Sequence, residues 1–308
     1  MKIDFLAVSD FSPEELQNIL DLATALKREY FSSGNIPLLK DKVLAMIFSK
    51  PSLRTRISFD MAMHHLGGDA LFISPDEIGL GKRESIADVA RVLAGYVHAI
   101  MARVFDHEHV VELAKWADIP VINGLSDYNH PCQAMADVLT IQEQFQTLRG
   151  LRVAYLGDGN NVAVSLMHAS AKLGMDFVIA SPEGYDINPK AVQIAQEFCQ
   201  QSGSKLGFFR DPEEAAKGAD VIYTDTWTSM GQEAESKKRE QVFPPYQVNQ
   251  KIMKLAKPSA IFMHCLPAHR GQEVTDDVAD GPQSAIFKQA HNRLHAQKAI
   301  LVKLLGEG

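Results

Sequence analysis

The sequence predicts an α/β protein of two doubly wound parallel-sheet domains with an interdomain cleft, and a C-terminal helix that returns to the first domain. Three observations predict it. Short apolar runs alternate with stretches whose apolar residues fall at helical spacing, the pattern of parallel sheets covered by helices on both faces. The alternation comes in two series that meet at Arg149-Gly150, and 308 residues is long for one core. After the second series, Leu294, Lys298, Leu301 and Leu305 recur at the spacing of one helix face. These place one domain at residues 1–149 together with 291–308, and the other at 150–290.

In the first series, Ser12-Pro13-Glu14-Glu15 supplies a hydroxyl cap, a proline at the first helical position and acids in the first turn, so a helix runs from there to about Tyr30. Val43 to Phe48 reads as a buried strand and Ile57 to Leu66 as the helix after it. Ala70 to Ile73 is a strand, Ser74 to Glu84 a polar loop, and Ser85 to Gly95 a helix with Ile86, Val89, Ala90 and Leu93 on one face. Ala99 to Val104 is a short strand, His109 to Ala117 a helix, Pro120 to Asn123 a strand, and a helix runs from about Ala134 to Gln146. The second series has strands at Leu151 to Leu156, Asp176 to Ala180, Leu206 to Phe209, Val221 to Thr224 and Ala260 to His264. Helices at Val162 to Leu173, Pro189 to Gln201 and Pro212 to Gly218 connect them. The charged segment Gln232 to Tyr246, with Pro244-Pro245, reads as a mobile excursion or a plain solvated loop.

The formal net charge of −7 argues against nucleic acid as a partner, because phosphate backbones call for a basic surface. No apolar run approaches the ~20 residues of a membrane span, and Met1-Lys2-Ile3-Asp4 has no signal-peptide pattern, so the expected compartment is the cytoplasm. Three cysteines, an odd number without CxxC spacing, indicate neither a disulfide framework nor a zinc site.

In doubly wound sheets, ligands collect outside the carboxyl ends of the strands. That rule selects 52–56, Arg103, 130–133, 158–161, 225–231 and 264–267. In the first group, Arg54 and Arg56 add positive charge to a helix start that already carries free N–H groups, an arrangement that favours an anion. With the hydroxyls of Ser52 and Thr55 nearby, it suits a phosphate dianion; the plainer reading makes Ser52 or Thr55 only a helix cap. Gly157-Asp158-Gly159 lacks the third glycine of a dinucleotide fingerprint, and the next strand ends at Ala180-Ser181-Pro182 without an acid for a ribose, so a nicotinamide cofactor is disfavoured. His130 and Gln133 flank Pro131 at a helix start, where an imidazole can donate to a carbonyl oxygen and an amide can accept from an NH2 group. Cys265 follows His264 directly, and successive strand residues face opposite ways, which argues against a thiolate–imidazole pair and a covalent mechanism.

Taken together, SLRTR at 52–56, ARVF at 102–105, HPCQ at 130–133, DGNN at 158–161, DTWTSMG at 225–231, HCLP at 264–267 and NRLHAQKA at 292–299 resemble the ornithine carbamoyltransferase family, in order and over nearly the whole chain. The resemblance implies transfer of a carbamoyl group from carbamoyl phosphate to the side-chain amine of L-ornithine, with no cofactor and no metal. It implies that Ser52, Leu53, Arg54 and Thr55 hold the phosphate with Arg103, that His130 and Gln133 hold the carbamoyl group, and that Asn161, Asp225, Ser229 and Met230 bind ornithine. Cys265, Leu266 and Arg293 complete the site, and Arg103, His130, Asp225 and Cys265 are the groups nearest the chemistry. It also implies a homotrimer, or a multiple of trimers, with sites shared between subunits. Where many relatives carry a glutamine for a neighbouring site, this chain has Gly79.

Residues 225–231 contain an acid and no base, which suits a cationic amine rather than the two carboxylates of aspartate. A putrescine carbamoyltransferase is the nearest alternative, and a non-catalytic binding protein that kept the fold is another. HCLPAHRG looks like the biosynthetic type, which points to arginine biosynthesis.

Overall fold

The computed structural model describes residues 2–228 and 233–306, and the chain divides into two compact units. Unit 1 comprises Met1–Leu139 and Asn292–Gly308; unit 2 comprises Thr140–His291.

Among the described residues of unit 1, β1 (Val43–Phe48), β2 (Asp69–Ile73), β3 (Ala99–Arg103) and β4 (Val121–Leu125) form a parallel sheet in the order β2-β1-β3-β4. β3 and β4 are buried along their whole length, as continuous apolar runs in a covered parallel sheet should be; β2, at the edge, is largely exposed. The order reverses between β1 and β3, whose last residues, Phe48 and Arg103, pair in register. That reversal is the switch point at which α/β sheets bind ligands.

In unit 2, β5 (Arg152–Leu156), β6 (Asp176–Ala180), β7 (Leu206–Phe209), β8 (Val221–Thr224) and β9 (Ile261–His264) form a second parallel sheet in the order β7-β6-β5-β8-β9. Its switch point lies between β5 and β8, so the loops after Leu156 and Thr224 open side by side. Gly159 makes the first of these turns possible: a Cβ there would sit 2.3 Å from the Ile187 nitrogen. The core of this unit is a cluster that includes Ala154, Leu156, Ile222, Val248, Phe262 and Ile286.

The first helix, Pro13–Ser32, begins with the predicted capping box: Ser12 Oγ accepts from the Glu15 N–H at 3.1 Å, and Glu15 accepts from the Ser12 N–H at 2.8 Å. Three of the differences from the sequence reading matter here. The helix expected at Ile57 spans Leu53–His65, because Ser52 caps it and brings the basic residues into its first turn. The polar loop after β2 contains the short helix Pro75–Ile78, stopped by Gly79 in the left-handed conformation at φ 53°. The C-terminal helix is Ile286–Leu305, starting before His291, and its residues from Asn292 onward belong to unit 1. There Lys27 Nζ donates to Asn292 at 2.7 Å and Lys298 Nζ to Asn35 at 2.9 Å, the predicted return to the first domain.

In the charged segment after β8, Lys237, Lys238 and Glu240 are exposed as the solvated reading expects, but one charge departs from it. The segment's described part includes the helix Ser236–Val242, and Arg239 turns inward to 4% exposure. Counting charges along a sequence does not show which one has a buried partner.

Candidate active site

In unit 1, the loop after β1 and the end of β3 bring the sequence-predicted basic residues together. Ser52 Oγ accepts from the Thr55 N–H at 3.2 Å and donates to Thr55 Oγ1 at 3.1 Å, so the cap also orients the threonine hydroxyl. That same Oγ1 accepts from Arg103 Nη1 and from Arg293 Nη2, each at 3.4 Å. Arg293 Nη1 donates to Gln133 Oε1 at 2.7 Å, and Gln133 Nε2 donates to the buried Asp137 at 2.8 Å. Ser52, Thr55, Arg103, Gln133 and Arg293 are thus one hydrogen-bonded group. Leu53 lies beside it but points outward, 74% exposed.

His130 sits at the cap position of the helix Pro131–Phe145, its carbonyl accepting from the Ala134 N–H at 3.2 Å. The turn that presents it is tied by side chains: Asn123 Nδ2 donates to Asn129 Oδ1 and to Ser126 Oγ, and Ser126 N–H donates to the Asn129 carbonyl. Burial, followed by the neighbouring cations Arg293, Arg103, Lys50 and Arg54, holds the His130 imidazole well below its usual range. At neutral pH it is therefore uncharged and carries one ring N–H. Lys50, which the motif argument passed over, is buried beside it with its Nζ over the Phe105 ring at 4.5 Å. Arg56 goes elsewhere: exposed, its guanidinium lies over the Phe72 ring at 4.1 Å. Cys132 is inert, its thiol pushed up to about 12 by burial. Buried cationic groups around a neutral imidazole favour a small, multiply charged anion bearing a carbonyl group.

In unit 2, the switch-point loops after β5 and β8 meet at Asp225, which is 5% exposed. Its Oδ1 accepts from the Thr226 N–H at 2.8 Å and from the Cys265 thiol at 3.0 Å, and its Oδ2 accepts from Asn160 Nδ2 at 2.8 Å. Asn161 opens the helix Asn161–Leu173, which Asn160 caps. Leu266 follows Cys265 with φ 60° and a cis bond to Pro267, and donates its N–H to His264 Nδ1 at 2.8 Å. His264 Nε2 in turn meets the buried Glu273 at 3.2 Å. Asp225, His264 and Cys265 place possible ligand atoms within 4.8 Å of one another. Both ring nitrogens of His264 are nevertheless engaged, and the thiol is directed at a carboxylate, so the group reads as a hydrogen-bonded network. Ser229 and Met230 lie outside the described residues.

Arg239 was invisible to motif reasoning. Its Nη1 donates to Asp158 Oδ2 at 2.6 Å and to the Trp227 carbonyl at 2.7 Å, and its Nε donates to Glu235 at 3.2 Å. One buried guanidinium therefore ties the loop after β5 to the loop after β8. The only hint in the sequence was Asp158 within DGNN, an acid whose partner lies 81 residues away.

A cationic group at one switch point suits an anionic donor, and a fixed carboxylate at the other suits a cationic acceptor. Residues 3–143 match the family description "Aspartate/ornithine carbamoyltransferase, carbamoyl-P binding domain", and residues 149–304 match its "Asp/Orn binding domain". The chain belongs to the aspartate/ornithine carbamoyltransferase family. Within that family it is similar to ornithine carbamoyltransferases. It is 54% identical over 303 residues to the anabolic ornithine carbamoyltransferase of Pyrococcus furiosus, covering 98% of this chain and 96% of that one. It is likewise 54% identical over 305 residues to the ornithine carbamoyltransferase of Bacillus subtilis, covering 99% of this chain and 94% of that one. A solved Pyrococcus furiosus ornithine carbamoyltransferase superposes with a TM-score of 0.96 at 54% identity, covering 98% of this chain and 96% of that one. The anabolic enzyme of Campylobacter jejuni superposes with a TM-score of 0.93 at 40% identity, covering 99% of each chain.

Proposed function

We propose that this protein transfers the carbamoyl group of carbamoyl phosphate to the side-chain amine of L-ornithine, giving L-citrulline and phosphate. The observation that carries the choice of acceptor is Asp225: a buried carboxylate held by three donors, with no basic residue among Asp225, Thr226, Trp227 and Thr228 directly after β8. An alkyl amine of pKa about 10.4 is protonated at neutral pH and must give one proton to Asp225 or to solvent before it attacks. Asp225 receives the ammonium group, with Cys265 beside it. Asn161, Ser229 and Met230 are the other proposed ornithine contacts, by motif.

At the other substrate, Ser52, Leu53, Arg54 and Thr55 hold the phosphate with Arg103, while His130 and Gln133 hold the carbamoyl group. Arg293 supports Gln133 and Thr55, and Cys265 and Leu266 are assigned to this substrate by motif alone. The amine nitrogen forms its bond to the carbamoyl carbon, and the carbonyl oxygen gains negative charge. Arg103, the neutral His130 and Thr55 are the donors for that oxyanion. The carbon–oxygen bond to phosphate then breaks, its electron pair leaves with the phosphate, and the second amine proton goes to phosphate or solvent. Holding two substrates in attacking geometry is worth up to about 7–11 kcal/mol.

The assay is citrulline formation from carbamoyl phosphate and ornithine, run beside putrescine, aspartate and N-acetylornithine. Ornithine is expected to be strongly preferred. No citrulline above background, or a preference for putrescine, would overturn the reading.

The expected assembly is a homotrimer or a multiple of it. In support, Leu53, Ile57 and Met61 form an exposed stripe along one helix, and Leu71 and Phe72 are exposed on the edge strand β2, an apolar surface of the kind subunits cover. Light scattering that returns the mass of one chain would count against it. No helix among the described residues is long and apolar enough to cross a membrane, and the proposed compartment is the cytoplasm. Arginine biosynthesis is the proposed role, supported by the HCLPAHRG motif and by relatives named anabolic.

A further inference from the structure

We propose that Asn160 is a positioning residue that holds the Asp225 carboxylate in the orientation in which it receives the substrate ammonium group. This rests on the reading of Asp225 given above. The motif argument pointed to the neighbouring Asn161, yet it is the Asn160 side chain that reaches Asp225, with Nδ2 donating to Oδ2 at 2.8 Å.

The direction of that hydrogen bond follows from the other end of the amide. Asn160 Oδ1 accepts from the Val162 N–H at 3.0 Å, the Ala163 N–H at 3.1 Å and the Tyr155 hydroxyl at 3.2 Å. Flipping the amide would set an NH2 group against two backbone donors and lose the helix cap, so Nδ2 has to face the carboxylate. Tyr155 is a dependable donor. Burial, then the Asp225 carboxylate, push its phenol well above the usual range, so it keeps its proton. Its ring is stacked on Tyr223 at 5.4 Å, and Gln289 Nε2 donates to the Tyr223 hydroxyl at 3.0 Å. On the far side of the carboxylate, Oδ1 is held by the Thr226 N–H and the Cys265 thiol. Asp225 is therefore gripped at both oxygens, and its rotation is stopped by donors on three segments: the loop after β5, its own loop and the end of β9.

Asn160 does two jobs, capping a helix and orienting a carboxylate, and two substitutions separate them. Serine and aspartate are both good helix caps, but neither serine nor an ionised aspartate supplies the amide donor. Asn160→Ser and Asn160→Asp are assayed for citrulline formation with each substrate varied in turn, from pH 6 to pH 9, alongside thermal unfolding. The expected result for Asn160→Ser is a fall in kcat/KM for ornithine of at least about ten-fold, the worth of a hydrogen bond to a charged group. KM for carbamoyl phosphate should stay within about two-fold, since the lost contact touches only the amine's partner. Asn160→Asp should also move the acidic limb of the ornithine kcat/KM profile to higher pH, because two carboxylates so close do not both ionise.

If either folded variant matches the wild type for ornithine, Asn160 is only a cap and the proposal fails. It fails equally if both substrates suffer alike, which is general damage. Should Asn160→Ser not fold, the pH profile of Asn160→Asp decides. The wild type run alongside separates this proposal from the functional reading. Absence of citrulline from the wild type overturns the reaction assigned and this role with it. A normal wild type with unchanged variants overturns the role of Asn160 alone.

Discussion

Replacing Arg239 by methionine should destabilise unit 2 more than any other change to a charged side chain on the segment 233–246. Methionine keeps an unbranched stem against the Tyr185 and Phe243 rings, over which the guanidinium now lies at 4.7 and 5.7 Å. It removes the cation from Asp158, a carboxylate only 8% exposed, and the donor from the Trp227 carbonyl. Removing one partner of a buried pair leaves a charge in a medium of low dielectric, which costs about 3–5 kcal/mol. The exposed Glu235 contact adds little to this. For a unit of this size the loss corresponds to a fall in Tm of about 6–20 °C, at roughly 2–4 °C per kcal/mol. The measurement is urea and thermal unfolding followed by the fluorescence of buried Trp227, in a Trp116→Phe background that leaves it the sole indole. Adding Asp158→Asn to Arg239→Met removes the stranded charge and should recover about 1–3 kcal/mol, the usual coupling of contacting residues. A loss under about 1 kcal/mol for the single variant, or simple addition of the two effects, would refute the reasoning.

Other perturbations act on the chemistry. Arg54→Ala is expected to raise KM for carbamoyl phosphate and lower kcat, with kcat/KM falling at least about ten-fold for the loss of one charge-assisted contact; unchanged kinetics would count against the anion site. Cys265→Ser keeps a donor to Asp225 and should retain kcat within about ten-fold, whereas a covalent thiol intermediate predicts a loss of many orders of magnitude. His130 is depressed in the folded protein relative to an unfolded value of about 6.5. Between those values the unfolded chain binds more protons, so stability is full above about pH 6.5 and declines as the pH falls toward the folded value, by at most about 1.4 kcal/mol per unit. His130→Asn should make the drop in urea midpoint from pH 7.5 to 5.5 shallower than in the wild type; parallel slopes would show that this imidazole is not the group responsible.

Most of the fold was legible because apolar periodicity is a local signal. Continuous buried runs such as Ala99–Arg103 and the capped start at Ser12 are read from a few neighbouring residues. Much of the proposed site was legible too, since the strand-end rule singles out Arg103, His130, Asp225 and Cys265 without any contact being known. Side-chain partnerships at long range were not legible. Arg56 and Arg54 look equivalent in SLRTR, yet Arg56 lies over Phe72, because a helix turns neighbouring side chains to different faces. Arg239 sits in a run of charges that reads as solvent-facing, and only the packing of Tyr185 and Phe243 shows that it is enclosed. Of the two asparagines in DGNN, the sequence offers no means of telling which reaches Asp225, since that depends on where β8 lies beside β5. The sequence by itself determined the strands, the helices, their order and the chemical kinds of group at each loop. Tertiary structure alone decided which of those groups meet, because hydrogen bonds a few ångströms long join residues that only the parallel pairing of distant strands brings together.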